Sequence, residues 1–278
     1  MLRSNYHTHL KYCNHAEGEA ADYVAKAIDL GFKELGISDH APVPEEYVDP
    51  RVYESSKTYR FMKLKDLDIY LNDCRQAREK FKDRIRVLIG LESEFIPERI
   101  EYYKMLRGKV DYLNLGAHYF LDSKGRFYNT YKDLSYKNIN DYASTVIAGM
   151  ESGLFNACVH PDLFFYGYKN ERGEHIFDSR CEGVSRRIIE SAIKNNVYLE
   201  INANGVFNSN NHGLFSYKEW LYPRYEFWTI ASEYKNLKII IGADAHLVKN
   251  LSGKHILECE ELASHLGLKI DEVMELNH

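Results

Sequence analysis

Seven short apolar runs, each followed by an amphipathic stretch, constrain this chain more than any other feature. The runs lie near Ser4–His9, Glu34–Ser38, Ile85–Leu91, Val110–Ala117, Phe155–Val159, Val197–Asn202 and Leu237–Gly242. They are rich in Val, Ile, Leu and Tyr and mostly apolar throughout, as strands buried on both faces of a parallel sheet are. Between them, Glu19–Leu30 places Tyr23, Ala27 and Leu30 at helical spacing, with Gly31 as a stop. Leu64–Phe81, Glu98–Leu106, Ile139–Met150, Cys181–Lys194, Pro223–Tyr234 and Ser252–Leu266 read as further helices. This alternation predicts an α/β fold with parallel strands and right-handed crossovers. The 278 residues hold no repeat or Gly/Ser linker, so one domain over 1–278 is expected. Seven units without a linker favour a closed or nearly closed barrel, although a doubly wound open sheet shares the pattern.

Composition narrows the function. Lys+Arg 36 against Asp+Glu 41 gives a formal charge of −5, which argues against a dedicated nucleic-acid surface. No apolar run approaches the roughly 18 residues of a membrane span, and Met1-Leu2-Arg3-Ser4-Asn5 carries no signal-peptide core. A soluble, cytoplasmic chain is expected. Five scattered cysteines without a CxxC pair argue against a disulfide framework or a cysteine-only zinc site. Twelve histidines stand out, and their positions matter more than their number.

Chemistry on parallel sheets gathers at the C-terminal ends of the strands. The first run ends in His7-Thr8-His9, with His15 in the loop behind it, and the second in Asp39-His40. The third ends at Glu92, the fourth at His118, the fifth at His160 and the seventh at Asp244-Ala245-His246. The sixth ends in Asn202-Ala203-Asn204-Gly205, with neither histidine nor carboxylate. Alternation puts His7 and His9 on one side of a strand, both able to reach one ion. Imidazoles with two carboxylates suit zinc, iron or manganese better than magnesium or calcium. Nine donors exceed the needs of a single zinc site, which implies two or three ions.

Other polar residues have plainer expected roles. Asp39 would orient His40, a common outer-shell task. Of Glu92 and Glu94, only Glu92 is expected to enter the site. Cys13 is expected to be structural, His255 and His265 solvated, and His278 a frayed terminus. His175 and His212 lie in long loops within reach of the active face.

The set His7-x-His9, His15, Ser38-Asp39-His40, Glu92, His118, His160 and Asp244-x-His246 resembles the polymerase-and-histidinol-phosphatase (PHP) superfamily. His15-Ala16-Glu17-Gly18 and Ser38-Asp39-His40-Ala41-Pro42 look most like its histidinol-phosphate phosphatase branch. The resemblance implies a distorted seven-stranded (β/α)7 TIM-like barrel of PHP type. It also implies an ion held by His7, His9, Glu92 and Asp244, and a second sharing Glu92 with His118 and His160. A third would lie between His15, His40 and His246. The reaction so implied is hydrolysis of a phosphoric monoester, histidinol phosphate first among candidates, by a hydroxide bridging the ions. Glu92, Asp244 and His246 would be the catalytic residues, His246 or a water on an ion protonating the leaving alkoxide. A PHP-type phosphodiesterase or exonuclease, a phosphatase for another small organic phosphate, and a protein that keeps its ions without turnover are the alternatives.

The substrate is less legible. The resemblance implies a basic residue soon after the Asn-x-x-Gly element, yet Val206-Phe207-Asn208-Ser209-Asn210 follows it here. The basic candidates near the catalytic loops are Arg60, Lys63, Lys169, Arg172 and Arg224. Aromatic residues crowd the same loops: Tyr47, Tyr53, Tyr59, Phe61, Tyr119, Phe120, Phe127, Tyr128, Tyr131, Phe164, Phe165, Tyr166 and Tyr168. They would pack the long excursions or, on the other reading, wall a pocket for a compact organic phosphate.

Overall fold

A computed structural model describes residues 2–48 and 60–276; Tyr53, Tyr59 and His278 lie outside the described residues. Strands β1 (Ser4–Asn5), β2 (Glu34–Ile37), β3 (Arg86–Ser93) and β4 (Tyr112–Leu115) come first. An antiparallel hairpin follows, β5 (Tyr119–Leu121) with β6 (Phe127–Asn129), and then β7 (Ala157–Cys158), β8 (Tyr198–Asn202) and β9 (Ile239–Gly242). Apart from the hairpin the strands form one sheet in the order β1-β2-β3-β4-β7-β8-β9, and every pairing is parallel. The sheet then turns back on itself. Thr8, beyond β1, bridges Ala245, beyond β9, and the His9 N–H donates to the Ala245 carbonyl at 2.9 Å. The Ala243 N–H donates to Asn5 Oδ1 at 2.6 Å on the same seam. The barrel is therefore nearly closed, and the open doubly wound sheet is excluded.

Ten α-helices among the described residues surround it. They are α1 (Ala20–Asp29), α2 (Leu67–Phe81), α3 (Ile100–Arg107), α4 (Thr130–Asp133) and α5 (Ile139–Glu151), then α6 (Phe164–Gly167), α7 (Ser179–Asn195), α8 (Ala203–Asn211), α9 (Tyr225–Ala231) and α10 (Lys254–His265). Glu19 and Asp22 form a capping box at the start of α1, and the Asp178 side chain accepts from the N–H groups of Arg180 and Cys181 at the start of α7. Outward residues of the strands, such as Ile37, Ile89, Leu115, Ile201 and Ile241, join Val24, Val146 and Ile188 of the helices in the main core.

The barrel interior changes character along the strands. At the N-terminal end Tyr6, Leu88, Tyr112, Ala157, Tyr198 and Ile240 form an apolar plug, closed from below by Met274. Gly36 and Gly90 are needed there, because a Cβ at either would overlap the Tyr112 ring or its hydroxyl. Toward the other end, Glu92, Asn114, Glu200 and Asn202 are buried. The apolar half supplies rigidity and the polar half supplies donors.

Several elements differ from expectation. The hairpin β5–β6 and the short helices α4 and α6 form within the aromatic loops, and α8 forms from the Asn-rich stretch after β8. Asparagine disfavours helix intrinsically. Here Asn202 accepts from the Gly205 N–H at 2.9 Å as an N-cap, and α8 packs on α10. Tertiary contact outweighs propensity. No helix among the described residues is long and apolar enough to cross a membrane.

Candidate metal centre

Glu92 lies at the centre of the polar half, at the end of β3 and almost wholly buried. Its Oε2 is 2.9 Å from His40 Nδ1, 3.5 Å from His7 Nε2 and 3.6 Å from His9 Nε2. Its Oε1 is 2.9 Å from His160 Nε2 and 3.5 Å from His118 Nε2. Asp244 Oδ1 lies 2.9 Å from His9 Nε2 and 3.5 Å from His7 Nε2. At the rim His246 Nε2 faces His15 Nε2 at 3.0 Å. The structure thus brings together all nine side chains singled out from the sequence. The convergence comes from the parallel sheet, since the nine residues end or follow six of its strands, β1, β2, β3, β4, β7 and β9, all at the same mouth.

The donor set fits divalent cations. His7 Nε2, His9 Nε2, His40 Nδ1 and Glu92 Oε2 are buried and make no well-aligned hydrogen bond, although carboxylate or imidazole atoms lie 2.9–3.6 Å away. A buried polar atom left unsatisfied costs about 1–3 kcal/mol, so the cluster is an expensive arrangement unless a ligand satisfies it. Donor atoms of four overlapping triples lie within 4.8 Å of one another: His7-His9-Asp244, His7-Glu92-His160, His40-Glu92-His118 and His9-His40-His246. Two of the residues carry backbone strain as well. His160 has φ 34° and Asp244 φ 47°, the left-handed region that non-glycine residues rarely occupy.

The far nitrogen of most imidazoles is held, which selects the nitrogen turned to the cluster. His7 Nδ1 donates to Glu200 Oε1 at 2.7 Å, and His118 Nδ1 to Glu94 Oε1 at 2.7 Å. His15 Nδ1 faces the Cys13 carbonyl at 2.9 Å and His246 Nδ1 the Asp244 carbonyl at 3.0 Å. Burial lowers the His9 pKa, but Asp244 and Asp39 more than reverse this and raise it to about 9. Burial likewise opposes Glu92 and Glu94 at His118, which also ends at about 9. Burial and mutual repulsion among imidazoles push His15 and His246 down to about 4. Burial raises the Glu92 carboxyl, but the imidazoles of His40, His118 and His7 hold it well below its ordinary value.

Several expected roles change. Glu94 does reach the site, as the acceptor for His118: residues two apart share a face of a strand, so Glu92 and Glu94 belong together. Asp39 does not orient the His40 ring; its Oδ1 accepts from the His40 backbone N–H and lies 3.5 Å from His9 Nδ1. Glu200 was not singled out from the sequence. A lone carboxylate inside an otherwise apolar strand was the available signal.

Above the cluster opens a cleft of about 860 Å³. Of the basic candidates only Arg60 lines it, joined by Lys132, which the sequence did not suggest. Lys63 and Lys169 stand outside its walls. Arg172 is exposed beside Glu174, and the Arg224 guanidinium is engaged by Glu226, the Trp220 carbonyl and the Phe165 ring. Carboxylates of their own segments, Glu174 and Glu226, hold Arg172 and Arg224 outside the cleft. Among the loop aromatics Phe61, Tyr119, Tyr131 and Tyr166 face the cleft, whereas Phe120, Phe164, Phe165 and Tyr168 are buried in the core. His212 also lines the cleft; His175 is spent on the Phe165 carbonyl, and His255 is buried rather than solvated.

The PHP domain family model matches residues 5–204, more than half of the chain. The chain belongs to the PHP family. A "probable histidinol-phosphatase" of Deinococcus radiodurans is 30% identical over 163 residues, which is 56% of this PHP chain and 59% of that protein. The match to a similarly named Schizosaccharomyces pombe protein, 32% identical, spans 41% of this chain and 38% of that one. The histidinol-phosphatase of Bacillus subtilis is 20% identical over 88% of this chain and 94% of its own. The PHP fold also superposes on the histidinol phosphate phosphatase of Lactococcus lactis subsp. lactis, solved with zinc, L-histidinol and phosphate. That superposition has a TM-score of 0.70 at 16% identity and covers 100% of both chains.

Proposed function

We propose that this PHP protein is a metal-dependent phosphoric monoester hydrolase with L-histidinol phosphate as its leading substrate. One observation carries the reading: both oxygens of the buried Glu92 carboxylate face imidazoles, three on one side and two on the other. A carboxylate so placed suits a bridge between two ions, with His7, His9 and Asp244 completing one position and His118 and His160 the other. His15, His40 and His246 would hold a third ion at the rim. Zinc, iron or manganese held there would offset phosphate charge and make water nucleophilic at neutral pH. Around that chemistry the chain does the positioning. Arg60 and Lys132 supply positive charge at the cleft, and the aromatic walls cover the organic part and exclude water. The relatives' names support the choice of substrate.

The test combines composition with turnover. Elemental analysis of the purified protein should find more than one equivalent of transition metal. Phosphate release should be fastest from histidinol phosphate, against other amino-alcohol and sugar phosphates and a 3′-labelled oligonucleotide. Glu92→Ala should lower it roughly 100-fold or more. A folded wild-type protein that bound no ions would overturn the proposal; preference for the oligonucleotide would replace it with a nuclease.

A further inference from the structure

Glu200 is 0% exposed, lies on β8, and its two oxygens serve three strands. Oε1 accepts from His7 Nδ1 at 2.7 Å. Oε2 accepts from the backbone N–H of His160 at 3.1 Å, the residue held at φ 34°, and from Asn202 Nδ2 at 2.8 Å. The Asn202 amide is itself oriented, because its Oδ1 caps α8 by accepting from the Gly205 N–H. Its Nδ2 therefore must face the carboxylates, where it also lies 3.3 Å from Asp244 Oδ2. The neighbouring strand leaves room for all this: a Cβ at position 242 would overlap the Glu200 carboxylate, and the residue there is glycine.

We propose that Glu200 is the positioning residue that couples the two ion positions flanking Glu92, directing His7 to one and His160 to the other. The inference rests on the metal-centre reading above. Three donors converge on Glu200, and only a carboxylate can accept from all of them. Glutamine keeps the shape but offers one acceptor oxygen and an NH2 group. If that NH2 faces His7, it donates to Nδ1 and forces the proton onto Nε2, the nitrogen turned toward Glu92 and Asp244. If it faces His160 instead, the strained N–H loses its acceptor. Either way one ion position is disturbed.

The experiment compares zinc-loaded wild type with Glu200→Gln, using chelator competition for affinity and elemental analysis for stoichiometry, with circular dichroism to establish folding. Outer-shell carboxylates of this kind change ion affinity about 10- to 100-fold, and a loss in that range is expected for Glu200→Gln. A folded variant with wild-type affinity and stoichiometry would overturn the proposal while leaving the phosphatase reading intact. Should Glu200→Gln not fold, nitrogen-15 NMR of the zinc-loaded wild type decides. A slowly exchanging proton on His7 Nδ1 supports the proposal, and a proton on Nε2 sinks it. Failure of wild type to bind zinc would end both readings together.

Discussion

Small residues decide how closely the carboxylates can approach the imidazoles. A Cβ at Gly116 would lie 2.7 Å from Glu92 Oε1 and 3.1 Å from its Cδ, too close to be absorbed without moving the carboxylate. Gly116→Ala is expected to cost about 1–3 kcal/mol of stability through overpacking. Because the displaced atom is the proposed bridge, phosphate release should fall further, about 100-fold. Urea unfolding alongside turnover separates the two effects. Protonation acts at the same scale. In chelator-stripped protein the raised pKa of about 9 at His9 and His118 means both carry protons at pH 7. Their stabilising contribution is fully present below about pH 6.5 and is lost as pH climbs through 9. Ions must displace those protons, so ion affinity should rise across the same window. Calorimetric titration at pH 7 in buffers of different ionisation enthalpy should show net proton release; none would mean that both imidazoles are already neutral.

At the scale of elements, the parallel strands do two jobs with one alternation. Inward positions near their N-terminal ends are apolar or aromatic, and the same faces carry donors near their C-terminal ends. Tyr112 on β4 spans the narrow part of the barrel, its hydroxyl donating to the Tyr6 carbonyl at 3.0 Å between Gly36 and Gly90. Gly36→Ala would push on that ring and also approach the Tyr6 Cα at 3.1 Å, a backbone atom that cannot swing aside. A loss of roughly 1–3 kcal/mol or more is expected, read as a lower urea midpoint at an unchanged slope. The helices were legible because their apolar stripes are long. The hairpin β5–β6 and α8 were not, because Tyr119–Asn129 and Ala203–Asn211 are too short and too polar for a period to register.

For the whole molecule, the tail after α10 closes the end opposite the metal cluster. The Asp271 N–H donates to the Ile239 carbonyl at 2.8 Å, the Met274 N–H to Tyr6 Oη at 2.7 Å and the Glu275 N–H to Tyr198 Oη at 3.0 Å. With the burial of Met274, these contacts contribute about 3 kcal/mol. Truncation after Ile270 should lower thermal stability by that order, while folded protein retains its ion stoichiometry. Loss of ions without loss of stability would show that the tail matters to the site instead.

The sequence by itself determined the α/β alternation, the number of barrel strands and the nine donors at their ends. Those are local properties: hydrophobic period and residue type at a strand terminus are written in neighbouring residues. Only the tertiary structure decided that the sheet closes through Thr8 and Ala245, and which nitrogen of each imidazole faces Glu92. It alone showed that Glu94 and Glu200 stand behind His118 and His7, and that Arg60 and Lys132 rather than Lys169, Arg172 or Arg224 border the cleft. Each of these depends on residues far apart in the chain, Glu200 being 193 positions from His7. A pairing of that kind leaves no period in the sequence; it exists only once seven strands share one barrel.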